Sequence, residues 1–254
     1  SNVNQTELVA VTGSYQTIEN LYTRGITFNT DAACGNTPVG YILGFSFKPG
    51  SHHNTLRSSK ATGTYAGVFI QGGTNPSHHN KILSNQLIDN TMMYPLDTVA
   101  WNDAGAFGVL LWGDDNEIAY NTMARNIACS YDYGTDGAAV ELYGGQRNFI
   151  HHNKSYNDES FTELGDSRTQ DTVYAYNEFY STNNQGAFLV TRGAGDGNGP
   201  VWRTKAYNNT AYMTGPNTEG VVCYGGCSSE IISFRNNIIK AVKKDAYSDA
   251  PFDE

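Results

Sequence analysis

Two glutamates occupy matching positions in two short phrases and could do chemistry together. Glu141 sits in Ala139-Val140-Glu141-Leu142-Tyr143, and Glu163 in Phe161-Thr162-Glu163-Leu164-Gly165. Stacked as neighbouring strands, these phrases bring the two carboxylates to about 5 Å, the spacing of hydrogen-bonded strands. Like charges that close do not both ionise freely, so one pKa rises and a proton is shared. The product is a general acid beside a carboxylate, at a separation nearer the roughly 5–5.5 Å of retaining glycosidases than the wider inverting gap. Asp166 offers a second partner at longer reach from Glu141, and Asp136 and Arg168 fall nearby in the pattern. Arg192 is placed to orient a carboxylate or hydroxyls of a substrate.

The elements that must position these residues come from a repeat. A polar residue, a spacer, an apolar residue, two spacers and then Asn recur as Asn-Lys-Ile-Leu-Ser-Asn ending at Asn85, Asn-Glu-Ile-Ala-Tyr-Asn at Asn121 and Asn-Phe-Ile-His-His-Asn at Asn153. Looser copies end at Asn177, Asn209 and Asn237. The intervals vary while the phrase does not, as in a solenoid whose inserts collect in loops while its strands stay in register. An Asn at each bend can donate its amide to one neighbouring coil and accept from the other, which satisfies turn backbone that would otherwise be buried unpaired. A second phrase precedes each Asn unit: Gly67–Gln71, Gly108–Trp112, Ala139–Tyr143, Phe161–Gly165, Phe188–Arg192 and Gly220–Tyr224. It reads as a second strand in every coil.

These two phrases resemble the parallel β-helix repeats of the pectate-lyase-like superfamily over roughly residues 40 to 240. The resemblance implies an all-β fold, a single-stranded right-handed parallel β-helix with long loop inserts, and an association with polysaccharides. It is to the repeat and not to one enzyme family: the polygalacturonase aspartates with Gly-His-Gly and Arg-Ile-Lys are absent, as is the epimerase Tyr-Gly-[Phe/Ile]-Asp-Pro-His motif. Residues 1–254 read as one such domain, or as a segment of a longer solenoid, since no N-terminal capping helix is evident and both ends stop abruptly.

Strand alternation sorts the second phrase into faces. Val68, Val109, Val140, Thr162, Leu189 and Val221, with Ile70, Leu111, Leu142, Leu164, Thr191 and Cys223, form two inward columns. One outward column is Phe69, Leu110, Glu141, Glu163, Val190, Val222; the other is Gln71, Trp112, Tyr143, Gly165, Arg192, Tyr224. An apolar outward face marks either a binding surface or a face covered by inserts, and the binding surface is the slightly favoured reading. Trp112, Tyr143 and Tyr224 would then be platforms for sugar rings, with Arg192, Arg168 and Asp136 completing the substrate contacts. Inserts at about Thr91–Gly105 and Thr122–Gly137 would wall this face beside Glu141, and a glycine-rich insert runs from Gly193 to Pro200.

The expected activity is therefore carboxylate-based hydrolysis of a polysaccharide, with Glu141 and Glu163 as acid and base or nucleophile and with no cofactor required. One alternative is a lyase in which Glu141, Glu163 and Asp166 hold Ca²⁺ and Arg192 or Arg168 abstracts the proton. A scarcity of Lys on the face counts against an anionic polymer there. Another alternative is a non-catalytic spike or adhesin. The plainest is a surface network in which Glu141 and Glu163 pair with Arg192 and Arg168.

Charged residues are 16% of the chain and the net charge is −9, which disfavours nucleic acid and anionic membrane partners. No apolar run approaches the roughly 18 residues that span a bilayer. Cys34, Cys129, Cys223 and Cys227 form no zinc knuckle; Cys223 and Cys227 flank a Tyr-Gly-Gly turn and either close a small disulfide loop or leave a buried thiol. Low Lys, high Asn and Tyr and such a disulfide suggest an extracellular protein. The six histidines fall in three His-His-Asn triplets (His52 and His53, His78 and His79, His151 and His152) at the repeat's own Asn position, so coil geometry rather than a metal explains them. Asp114-Asp115-Asn116 reads as a turn. Asn153 and Asn208 head glycosylation-type triplets but lie in or beside the ladder, where burial is expected; Asn4 heads a third.

Overall fold

The computed structural model describes residues 6–26 and 29–250, with the backbone of 252–253; Asn4 lies outside this set. Among the described residues the chain winds into three stacked parallel sheets of nine, eight and eight strands. The first runs from Thr6–Val11 at one end to Lys244–Ser248 at the other. Each coil contributes one strand to each sheet, so hydrogen bonds run between coils and along the solenoid axis. Among the described residues no helix is long and apolar enough to cross a membrane.

The register of the first sheet matches the expected columns. Val109 pairs with Val140 and Val68, Leu111 with Leu142 and Ile70, and Glu141 with Glu163. The inward residues Val68, Val109, Val140, Leu111, Leu142 and Leu164 are fully buried in one continuous core. Inward Thr162 is accommodated because its hydroxyl meets the buried Tyr174 hydroxyl at 2.9 Å. Phe161 and Phe188 stack at 5.3 Å between centroids and fill the core behind Glu163.

The expected ladder at Asn85, Asn121, Asn153, Asn177, Asn209 and Asn237 is present: each Nδ2 donates to the Oδ1 one coil on at 2.9–3.0 Å. It is one of three. A second ladder runs Asn54, Asn80, Asn116, Asn148, and a third runs Thr64, Asn90, Asn126, Asp158. Each bend of the coil turns the backbone away from its sheet, and the same amide geometry meets the same need at all three corners. Asn153 is buried and Asn208 half-buried, which makes both poor acceptors for a glycan.

The histidines stack as rungs between coils, His52 on His78 at 5.1 Å and His53 on His79 at 5.0 Å, and among the described residues no group of three or more His, Cys, Asp or Glu side chains is arranged to hold a metal. Asp114 and Asp115 accept hydrogen bonds from Arg168 and Arg147, and Asn116 is a ladder rung, so this run is a turn.

Two disulfides are formed. Cys223–Cys227 closes the small loop; Cys34–Cys129, whose pairing the spacing left unread, spans 95 residues and ties two inserts together.

Candidate functional site

The inserts at 30–39, 91–105 and 126–137 leave successive coils on the same side of the first sheet and form a wall. Val39 bridges Met93, Met93 bridges Gly105, and Ala128–Ser130 pairs with Gly134–Asp136 as a hairpin. Asp103 and Asp132 clasp the last two inserts: Asp103 accepts from Ser130 Oγ at 2.9 Å and Tyr131 N at 2.6 Å, while Asp132 accepts from Asn102 N and Asp103 N.

This wall covers much of the apolar outward face. Phe69 and Leu110 are buried with Tyr65, Met92 and Phe107 beneath Tyr41, Tyr94 and Ala104. At the far end Val190 and Val222 pack with Ala187 and Tyr247. The favoured expectation of an open apolar surface is corrected at both places: insert residues bury Phe69 and Leu110, and Tyr247 of the next strand packs on Val190 and Val222, because apolar side chains gain free energy on leaving water. The middle rungs, Glu141 and Glu163, are not covered in this way: they lie mostly buried, with a minor part of each residue reaching solvent.

Around those rungs the acidic residues converge. Burial, then the charges of Glu163 and Asp136, push the Glu141 carboxyl well above the ordinary carboxylate range, with Arg192 opposing. Asp136 is likewise pushed well up, by burial and by Glu163 and Glu159, against a hydrogen bond from Gly137 N at 2.8 Å. Burial raises Glu159 to about 7 even though the Ser160 hydroxyl donates to it at 2.5 Å. Asp136 is placed by the strand entry at Gly137, where φ is +143° and a Cβ would meet Asn126 O at 2.4 Å, so the chain accepts glycine there.

The guanidinium of Arg192 is the cation set among these acids. Nη2 pairs with Glu163 Oε1 at 2.5 Å, Nη1 donates to Leu164 O at 2.6 Å, and Nε stands 3.4 Å from Asp196 on the glycine-rich insert. The Tyr143 and Tyr224 rings lie 5.7 Å and 6.0 Å from it, within cation–π range. Tyr143 reaches Arg192 by lying across Gly165, where a Cβ would fall 2.3 Å from its Cζ. Burial and both glutamates push its phenol above the ordinary value.

The structure thus brings together Glu141, Glu163, Asp136, Arg192, Tyr143 and Tyr224. Trp112 stands one coil before Tyr143 in the same outward column, 40% exposed, with its ring edge-on to Phe69 at 5.0 Å. Asp166 and Arg168 stand apart. Asp166 is exposed on the turn leaving the sheet, where its carboxylate accepts from Arg168 N, and the charges acting on Glu141 are Glu163, Asp136, Arg192 and Glu159. Arg168 is engaged by Asp114 and Gly144 O. Of the surface pairing weighed at the start, Glu163–Arg192 forms, while Arg168 goes to Asp114.

Two residues of the cluster were not picked out from sequence. Glu159 precedes the strand of Glu163 and enters through the turn. Tyr133 arrives on the 126–137 hairpin; its phenol is pushed up to about 12 by burial and by Asp136, Asp132 and Glu163. The aromatic-acidic run Tyr131-Asp132-Tyr133-Gly134 inside a walling insert was the available signal.

No family model matches the chain, and no curated protein matches it. Solved structures do. An alginate lyase from Paenibacillus sp. str. FPU-7 superposes with a TM-score of 0.62 at 13% identity, over 95% of this chain and 77% of that one. A tailspike protein mutant of E. coli bacteriophage HK620, in complex with a pentasaccharide, gives 0.57 at 12% identity over 92% and 39%. A mutant DFA-IIIase from Arthrobacter chlorophenolicus A6, in complex with DFA-III, gives 0.56 at 8% identity over 91% and 57%. The chain spans less than two thirds of the last two. At such identities the likeness speaks to architecture, and with the stacked sheets above it establishes that the chain is a right-handed parallel β-helix.

Proposed function

We propose that the protein is an extracellular glycoside hydrolase that cleaves a polysaccharide by a retaining double displacement. The observation that carries this reading is the unequal electrostatics of Glu141 and Glu163, register partners on adjacent strands. Glu141 keeps its proton because burial and like charges disfavour its ionised form. Glu163 has a guanidinium against Oε1, leaving Oε2 outside the pair. A carboxyl that burial keeps protonated, beside a second one paired with a guanidinium, is an arrangement that divides acid from nucleophile.

In the first step Glu141 gives its proton to the glycosidic oxygen as the C1–O bond breaks, and a Glu163 oxygen bonds to C1. In the second, water adds to C1, its proton returns to Glu141, and the Glu163–C1 bond breaks. Strand partners about 4.8 Å apart fit the short separation of retaining enzymes. Tyr143, Tyr224 and Trp112 would hold sugar rings, and Asp136 and Glu159 would keep Glu141 protonated. This route needs no metal. The two disulfides support an oxidising, extracellular setting.

A lyase is the second reading, favoured by the superposition on an alginate lyase. A panel of neutral and uronic polysaccharides separates the two when reducing ends and ultraviolet absorbance are followed together, with and without chelator. Hydrolysis releases reducing ends without unsaturated, absorbing products. Absorbance that rises with the reducing ends and is lost with chelator would overturn the hydrolase and support a Ca²⁺ lyase.

A further inference from the structure

We infer that Trp101 and Tyr133, at the crest of the wall, form a remote platform for one pyranose unit of a neutral polysaccharide whose chain continues down to Glu141 and Glu163. The inference rests on the proposed carbohydrate site and adds to it a ligand class and a second contact.

Trp101 is 77% exposed, which is unusual for the largest apolar side chain. Its ring stands 6.0 Å from the Tyr133 ring at a 45° tilt, giving a shallow aromatic angle suited to the C–H face of a sugar. Tyr133 links this angle to the carboxylates. Its backbone carbonyl accepts from Gln185 Nε2 at 2.9 Å, which ties the hairpin to the strand Gln185–Arg192, and Asp136 follows three residues later on the same hairpin.

The platform is held in place before any ligand arrives. Asn102 N and Asp103 N donate to Asp132 Oδ2 at 2.8 and 3.0 Å, Asp97 Oδ1 accepts from Val99 N and from Asn102 Nδ2, and Cys34–Cys129 anchors the hairpin base. A tip already ordered loses little entropy on binding, so an exposed tryptophan there serves as an anchor. The polar groups around it are acidic. Asp97 and Asp132 hold Asn102 directly beside Trp101, and a polymer of uronates would meet their like charge at this tip. Neutral sugars meet no such penalty and find carboxylates to accept their hydroxyl protons.

The test is affinity electrophoresis of Glu141→Gln protein, and of the same protein carrying Trp101→Ala, in gels containing β-glucan, galactomannan, xylan, alginate or polygalacturonate. The expected result is retardation by at least one neutral polymer, none by either uronate, and a fivefold or greater weakening with Trp101→Ala at unchanged circular dichroism and melting temperature. Failure of every neutral polymer to retard the protein, preference for a uronate, or full retention by Trp101→Ala would overturn the inference. Tyr133→Leu provides a second reading of the same angle. Because binding is measured without turnover, Trp101-dependent retention by a protein that releases no reducing ends would sink the hydrolase and leave the platform standing. Turnover unaffected by Trp101→Ala on long and short chains alike would do the reverse.

Discussion

Glu141 and Glu163 are register partners on adjacent strands of the first sheet, and Arg192 pairs with Glu163 rather than Glu141. One stacking relationship thereby sets a carboxyl that resists ionising beside one paired with a guanidinium.

The alkaline side of the activity profile reports Glu141. A carboxyl pushed well above its ordinary range keeps its proton to higher pH than a free glutamate, so activity should extend past that range and fall as Glu141 ionises. Asp136→Asn removes a neighbouring carboxyl whose ionisation raises Glu141. The alkaline limb should move to lower pH, read from kcat/KM against pH; an unmoved limb would detach Asp136 from the acid.

Gly165 is the floor beneath Tyr143. Gly165→Ala places a methyl where the ring lies, so the ring must leave Arg192. A cost of about 1–3 kcal/mol in stability is expected from the forced repacking, together with a raised KM. A crystal structure of the variant with Tyr143 unmoved would contradict this.

Asp158 ends the third ladder in a buried place, and burial raises it to about 7. Its folded pKa lies above its unfolded one, so its contribution favours the folded state most below about pH 4 and is lost as pH rises toward and past 7. Asp158→Asn keeps the acceptor for Asn126 and has no charge to bury. It should therefore be more stable than the wild type at pH 8, by on the order of a few kcal/mol and with a higher melting temperature, and match it near pH 4. Equal melting curves at pH 8 would show that Asp158 is not strained by its charge.

Removing Cys34–Cys129 by the double serine variant frees a loop of 95 residues. A loss of about 2–5 kcal/mol is expected, and with it a higher KM, because the wall beside Glu141 loses its anchor. Melting temperature and steady-state kinetics check both. An unchanged KM would mean the wall holds its place through the Asp103–Asp132 clasp alone.

The scaffold was readable because a β-helix writes its register into the chain. The alternation Val140, Glu141, Leu142 and the recurring Asn85, Asn121, Asn153 phrase specify faces and stacking without reference to distant residues. What covers a face is not written that way. Phe69 and Leu110 look exposed in the repeat, and only the docking of Met92 and Tyr94 from an irregular insert buries them. Tyr133 and Glu159 were hidden for the same reason: both enter from turns, whose paths depend on contacts such as Cys34–Cys129 that no local pattern announces. Asp166 and Arg168 looked near in sequence, yet the chain leaves the sheet at Gly165 and carries them to the next corner.

The account turns on the acid at position 141. Wild-type protein and Glu141→Gln should be compared on the polysaccharide that the wild type degrades, following release of reducing ends, with circular dichroism and affinity electrophoresis on the same samples. Loss of 10²-fold to 10⁴-fold in rate with folding and polymer retention intact is the predicted result. A variant that releases reducing ends at the wild-type rate would contradict it and remove Glu141 from the chemistry.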